Sequence, residues 1–172
     1  MKAWNYAVRH GNSEMTSVGY AGYSITAGSV LGDYLAGDRL ARVCIQLVER
    51  YDQSSSRCII YFVMGSLISH WTQHAKISLK YLENAVKSGI EAGDVLIMGY
   101  SHCLLLEFNY LIGTPLEKMY EEINRKSEIA SRLKHDTLDI NVAIYRKVVS
   151  VLQGQGEDLL EVVPNDFKNG SF

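Results

Sequence analysis

Proline occurs only twice in the 172 residues, at positions 115 and 164. A proline inside a helix removes a hydrogen bond and costs ~3 kcal/mol, so most of the chain is free of that obstacle to helix formation. Long apolar runs are missing as well. The longest, Cys58 to Met64, falls far short of the ~20 residues that span a bilayer, and no membrane association is expected. Met1 to His10 carry charges and a Trp, without a continuous apolar stretch or a small-residue cleavage site, which argues against a signal peptide and makes the cytoplasm the expected location. There is no basic excess: the formal net charge is -2 and the sequence pI is about 6.2. A chain without surplus cations lacks the means to neutralise a row of phosphates, so nucleic acid is excluded as a main partner. Cysteine is sparse. Cys44, Cys58 and Cys103 stand in apolar stretches without CxxC spacing, and an odd number cannot all pair within one chain, so buried reduced thiols are expected.

What is present is a composition of 47% hydrophobic and 21% charged residues, that of a chain able to bury a core. Apolar residues recur at three- and four-residue intervals and strand-like alternation is scarce, which predicts an all-α fold. Asn12-Ser13, Ser54-Ser55-Ser56, Gly93-Asp94 and His135-Asp136 each precede a long apolar-periodic segment, where helix N-caps belong. These starts are spaced by about forty residues, the length of a helical-hairpin repeat. Each interval breaks near its middle, at Gly32-Asp33, Thr72-Gln73 and Gly113-Thr114-Pro115. At the third break Thr114 is expected to cap, with Pro115 at the first helical position and Glu117 closing a capping box. The punctuation predicts first helices near 13–31, 57–72, 94–112 and 136–153, and second helices near 33–51, 74–91 and 115–133.

The second helices read as amphipathic, through Leu40, Cys44, Leu47 and Tyr51; Tyr81, Leu82, Ala85 and Ile90; and Leu116, Met119, Tyr120, Ile123, Ala130 and Leu133. The first helices around Ile59–Ile68 and Leu96–Leu111 are apolar nearly all round and are expected to be covered on more than one face. That division of labour suits stacked antiparallel hairpins, in which inner helices bury two sides and outer helices one. Trp4, Ala7 and Val8 are spaced as one further helical face ended by Gly11, whereas Gly154-Gln155-Gly156 stops the last helix. The expected division is a helical-repeat domain over 1–155 and an irregular tail over 156–172, an excerpt from a longer array.

The stretch Gly32-Asp33-Tyr34-Leu35-Ala36-Gly37, continuing to Ala41 and Cys44, resembles the turn and second helix of a tetratricopeptide repeat. A wider likeness lies in Arg9-His10-Gly11-Asn12-Ser13, Gly19-Tyr20-Ala21-Gly22-Tyr23, Val30-Leu31-Gly32-Asp33, Ser69-His70-Trp71, Gly89-Ile90-Glu91-Ala92-Gly93-Asp94 and Ile144-Tyr145-Arg146. Over about residues 8 to 155, this resembles the helical-repeat region of large bacterial signalling proteins. Those proteins join a serine/threonine kinase domain, a predicted AAA/STAND-type ATPase and often a sensor histidine kinase. The resemblance implies a tetratricopeptide-like αα-superhelix acting as scaffold or sensor. No GxxxxGK[ST], HRD or DFG motif occurs, so no catalytic residue, cofactor or metal is carried over, and the expectation is a module that is not an enzyme. Its expected partners are protein segments or neighbouring domains of a larger signalling protein. The alternative is a small-ligand sensor whose effector fits between the apolar first helices.

Candidate residues follow from chemistry and spacing. His70 and His74, four apart, share a face in an uninterrupted helix and suit zinc, but they straddle the predicted turn and lack a third ligand. His102 and Cys103 diverge by about 100° around a helix and do not form a nucleophile–base pair. The cluster Glu117, Lys118, Glu121, Glu122, Arg125, Lys126 and Glu128 reads as a solvated face laced by Glu121–Arg125 and Glu122–Lys126. Gly19, Gly22, Gly28 and Gly32 are too spread for a phosphate loop and are expected at close helix contacts. Most aromatics on first helices are expected in the core. Tyr20, Tyr23, Tyr61, Tyr100 and Tyr110 are the candidates for contact with a partner, and Trp4 and Tyr145 are those for self-association into a homodimer.

Overall fold

A glycine or a capping side chain stands at nearly every turn, and these turns divide the chain into helices. The computed structural model describes residues 14–50 and 54–155, and all regular structure in them is helical. Helix α1 (Glu14–Ile25) runs on through a π-helical turn, Thr26–Val30. It is followed by α2 (Tyr34–Arg50) and α3, which comprises Ser54–Val63, a second π-helical turn Met64–Ile68 and a last turn Ser69–Thr72. Then come α4 (Lys76–Ala92), α5 (Val95–Leu111), α6 (Leu116–Leu133) and α7 (Asp136–Leu152). The seven helices start and stop within a few residues of the predicted bounds. The face of Trp4, Ala7 and Val8, the Asn12-Ser13 cap, Tyr51 and the tail 156–172 lie outside the described residues.

The caps act as hydrogen-bond acceptors for otherwise orphaned N–H groups. Ala36 N–H donates to Asp33 Oδ1 at 2.9 Å, Ile97 N–H to Asp94 Oδ1 at 3.0 Å, and Leu138 N–H to His135 Nδ1 at 3.2 Å. Gly32 takes a left-handed φ of 72° between α1 and α2, a conformation that a side chain would strain. The expected capping box at Thr114 is not formed. Thr114 Oγ1 instead reaches Asn109 Oδ1 at 3.4 Å, and Pro115, with ψ of 140°, is the cap residue rather than the first helical one.

Substantial contacts join helices one or two apart in the chain. The first helices α1, α3, α5 and α7 each touch the next of their kind, and α2, α4 and α6 close the hairpins outside them. The core is accordingly a series of clusters strung along the chain. Tyr20, Cys44, Leu47 and Ile60 form one at the α1–α2–α3 end, whereas Leu106, Met119, Ile123 and Leu138 form one at α5–α6–α7. Fully burying side chains of this size is worth roughly 1.5–3 kcal/mol each.

Small residues set the spacing between neighbours. A Cβ on Gly28, in the first π-helical turn, would lie 1.9 Å from the Trp71 ring; one on Gly65, in the second, would lie 2.8 Å from Leu82 Cγ. Both turns thus place a glycine where another helix supplies a large side chain. Gly37 meets the Ser24 carbonyl just as closely, and Ser69 and Ser78 pair through their hydroxyls at 2.8 Å across α3 and α4. Gly22 and Gly32 depart from the expected close helix contact, because nothing lies within 4 Å of where either side chain would be.

The amphipathic reading also needs two corrections. Ile90 is 65% exposed and Tyr120 is 45% exposed, because Gly89 and Met119, each 100° away around the helix, take the inward position.

Candidate interaction surface

The first helices are joined by ring contacts. Phe62 of α3 meets Tyr100 of α5 with centroids 6.5 Å apart, and Tyr100 meets His135, the α7 cap, edge-on at 5.3 Å. His70 lies 5.8 Å from Phe108, and Tyr110 lies 5.7 Å from Tyr145. Offset and edge-on pairs at these separations stabilise by about 0.5–1.5 kcal/mol beyond area burial. They hold α3 against α5 and α5 against α7 and leave part of several rings in solvent.

The five tyrosines picked from the sequence divide on burial. Tyr20 and Tyr61 are inside. Tyr61 hydroxyl donates to Glu49 Oε1 at 2.6 Å, and burial together with that bond pushes its pKa up to about 12. Tyr23 is half-buried, whereas Tyr100 and Tyr110 are exposed by 37% and 36%. On α5, Leu96, Tyr100 and Leu111 fall within about 60° of one another around the helix axis, and the two leucines are more exposed than the tyrosine. On α7, Ile140 and Ile144 repeat the pattern four residues apart. Tyr145 is half-buried against the α5–α6–α7 core and held by Tyr110, so it serves this chain's own packing.

The histidine pair takes two unrelated roles. His70 stays on α3 between Trp71 and Phe108, whereas His74 sits in the following turn, where its Nδ1 accepts the Lys76 N–H at 3.1 Å. Among the described residues, no three His, Cys, Asp or Glu side chains converge as metal ligands would. Cys44, Cys58 and Cys103 are buried thiols outside any disulfide, and burial pushes them up to about 12, 11 and 11. Thiolate is the nucleophilic form, so these groups are inert near neutral pH.

The outer side carries a feature that the sequence reading missed. Lys126, assigned above to a solvated face, is only 5% exposed, and its Nζ lies 3.0 Å from Nδ1 of buried His102. Glu122 is left to Arg125, with which it forms a short ion pair. Burial lowers the Lys126 pKa to about 8; burial and then the nearby cations Lys126 and Arg125 lower that of His102 to about 4. The signal was present in α6: Met119, Ile123, Lys126 and Ala130 are buried at intervals of four, three and four, so position 126 belongs to the apolar stripe. Compared with known proteins, the chain matches no family model, no curated protein and no solved structure.

Proposed function

We propose that the chain is a non-catalytic, tetratricopeptide-like αα-superhelical module, a scaffold or sensor within a bacterial signalling protein. It binds a protein segment or a neighbouring domain across its first helices. The observation that carries this reading is the pairing of contiguous first helices with partly exposed apolar side chains on them, chiefly Leu96, Tyr100 and Leu111 on α5 and Ile140 and Ile144 on α7. Stacked hairpins bury two sides of an inner helix and leave a third for a partner, and amphipathic aromatics held in place by neighbours bind at small entropic cost. The resemblance to the repeat regions of kinase–ATPase signalling proteins supplies the setting.

The test is site-specific photo-crosslinking in cells that make the protein at its natural length. A photoreactive residue replacing Tyr100 or Leu111 is expected to crosslink to a protein segment, within the same polypeptide or another. The same residue at Lys80, exposed on α4, is expected not to. Equal yields at both places, or none at either, would overturn the proposal.

A further inference from the structure

Between α4 and α6 runs a groove of about 350 Å³ whose floor comes from α5. Glu83 and Val86 form one wall, Arg125, Lys126 and Ile129 the other, and His102 and Leu105 lie beneath. Lys126 is more than nine-tenths buried yet lines this groove. Its ammonium carries three donors and no acceptor capacity, so at the 3.0 Å contact Nζ donates and the imidazole accepts at Nδ1, holding its own proton on Nε2. That acceptor is neutral. Among the described residues no carboxylate forms an ion pair with Nζ: Glu122 is engaged by Arg125, and both Glu122 and, more weakly, Glu83, exposed on the opposite wall, act on Lys126 only through space. Two N–H donors of a buried cation are thus left without a protein partner among the described residues.

Burying an ammonium without its counter-charge is costly, and the cost falls when an anion joins it. We propose that this groove is a binding site for a carboxylate, whose oxygens accept from Lys126 Nζ while its aliphatic portion packs on Val86, Leu105 and Ile129. Charge selects a monoanion. Arg125 is paired with Glu122 and Lys126 with no carboxylate, so one negative charge is drawn to Nζ, whereas the second charge of a phosphate dianion meets Glu83 on the opposite wall. The apolar walls favour a carboxylate that carries a short alkyl chain over a bare inorganic ion. Two sources present this chemistry: a free short-chain carboxylic acid and a glutamate side chain from a protein segment. The proposal goes beyond the first-helix surface and does not rest on it, since the groove opens between the outer helices.

The experiment follows the His102 ring resonances by NMR in the full chain, at fixed ionic strength in chloride. Butyrate, inorganic phosphate, a short peptide with one glutamate and its glutamine counterpart are titrated separately. With a dissociation constant in the low millimolar range, about 20 mM butyrate should bring the resonance shift close to saturation. Lys126→Met, which replaces the ammonium with an apolar group of similar length, should abolish that shift while keeping the protein folded, and Glu83→Gln should move the midpoint to lower concentration. Saturation by butyrate alone identifies a free acid. A glutamate peptide acting at lower concentration than butyrate, with the glutamine peptide silent, identifies a protein side chain. No saturable shift with either carboxylate, an equal shift in Lys126→Met, or phosphate acting as strongly as butyrate would overturn the proposal.

Discussion

The imidazole of His135 occupies the space that a side chain at position 99 would need. A Cβ on Gly99 would lie 2.1 Å from His135 Cδ2 and 2.2 Å from Nε2. The α7 cap can therefore lean on α5 only because residue 99 has no side chain. The ring is held from the other directions by the Leu138 N–H and the edge of Tyr100, so it has little freedom to withdraw. Gly99→Ala should destabilise the protein by about 1–3 kcal/mol, the usual penalty for overpacking. Urea unfolding monitored by circular dichroism will check this; an unchanged midpoint would mean that the ring moves aside freely.

Gly32 and Gly22 separate two reasons for a glycine. Neither has an atom within 4 Å of a built Cβ, but only Gly32 has positive φ. Gly32→Val should cost at least about 1 kcal/mol through backbone strain alone. By contrast, Gly22→Ala, at an exposed helical position, should stabilise by about 0.5–1 kcal/mol. Thermal midpoints moving in opposite directions are the expected result.

Stability should depend on pH through His102 and Lys126, both bases with folded-state pKa values below their ordinary ones. Between pH 4 and 6.5 the unfolded chain protonates His102 and the folded one does not. Stability is therefore lost as pH falls through that window, by an amount on the order of 3 kcal/mol. Between about pH 8 and 10.5 the unfolded chain holds the extra proton on Lys126, so that residue makes stability rise with pH. Removing the buried charge with Lys126→Met should be neutral or stabilising at pH 7 and should abolish the alkaline rise, as urea titrations across both windows will test.

Self-association, expected from the sequence at Trp4 and Tyr145, is better tested at α7. Tyr145 is engaged by Tyr110 within the chain, and a charge there would damage the fold as well as any interface. Ile140 and Ile144 are exposed by 57% and 40%. If α7 carries a dimer contact, sedimentation equilibrium at micromolar concentration should show a dimer that Ile140→Glu weakens by about tenfold or more. A monomer at all accessible concentrations would refute it.

The helices, their approximate boundaries and the Asp94 and His135 caps were legible in the sequence because they rest on local physics, whereas the Thr114 capping box did not form and Ser54–Ser56, expected to cap α3, lie inside its first turn. Asp33, Asp94 and His135 accept from N–H groups three residues ahead, and the all-α class follows from the apolar period and the scarcity of proline. Which side chains those helices turn inward was decided by their neighbours. Apolar spacing locates a buried face only to within about one residue, or 100°, so Ile90 and Tyr120 went to solvent while Gly89 and Met119 went in. Lys126 followed the stripe of its helix and is buried against His102 of α5, which accepts from its ammonium. Gly28 and Gly65, in the two π-helical turns, likewise leave room for Trp71 and Leu82, side chains supplied by other helices. Periodicity and capping act over a few residues and are written into the chain; burial, pKa and the shape of the outer groove depend on which helices meet, and only tertiary packing determines that.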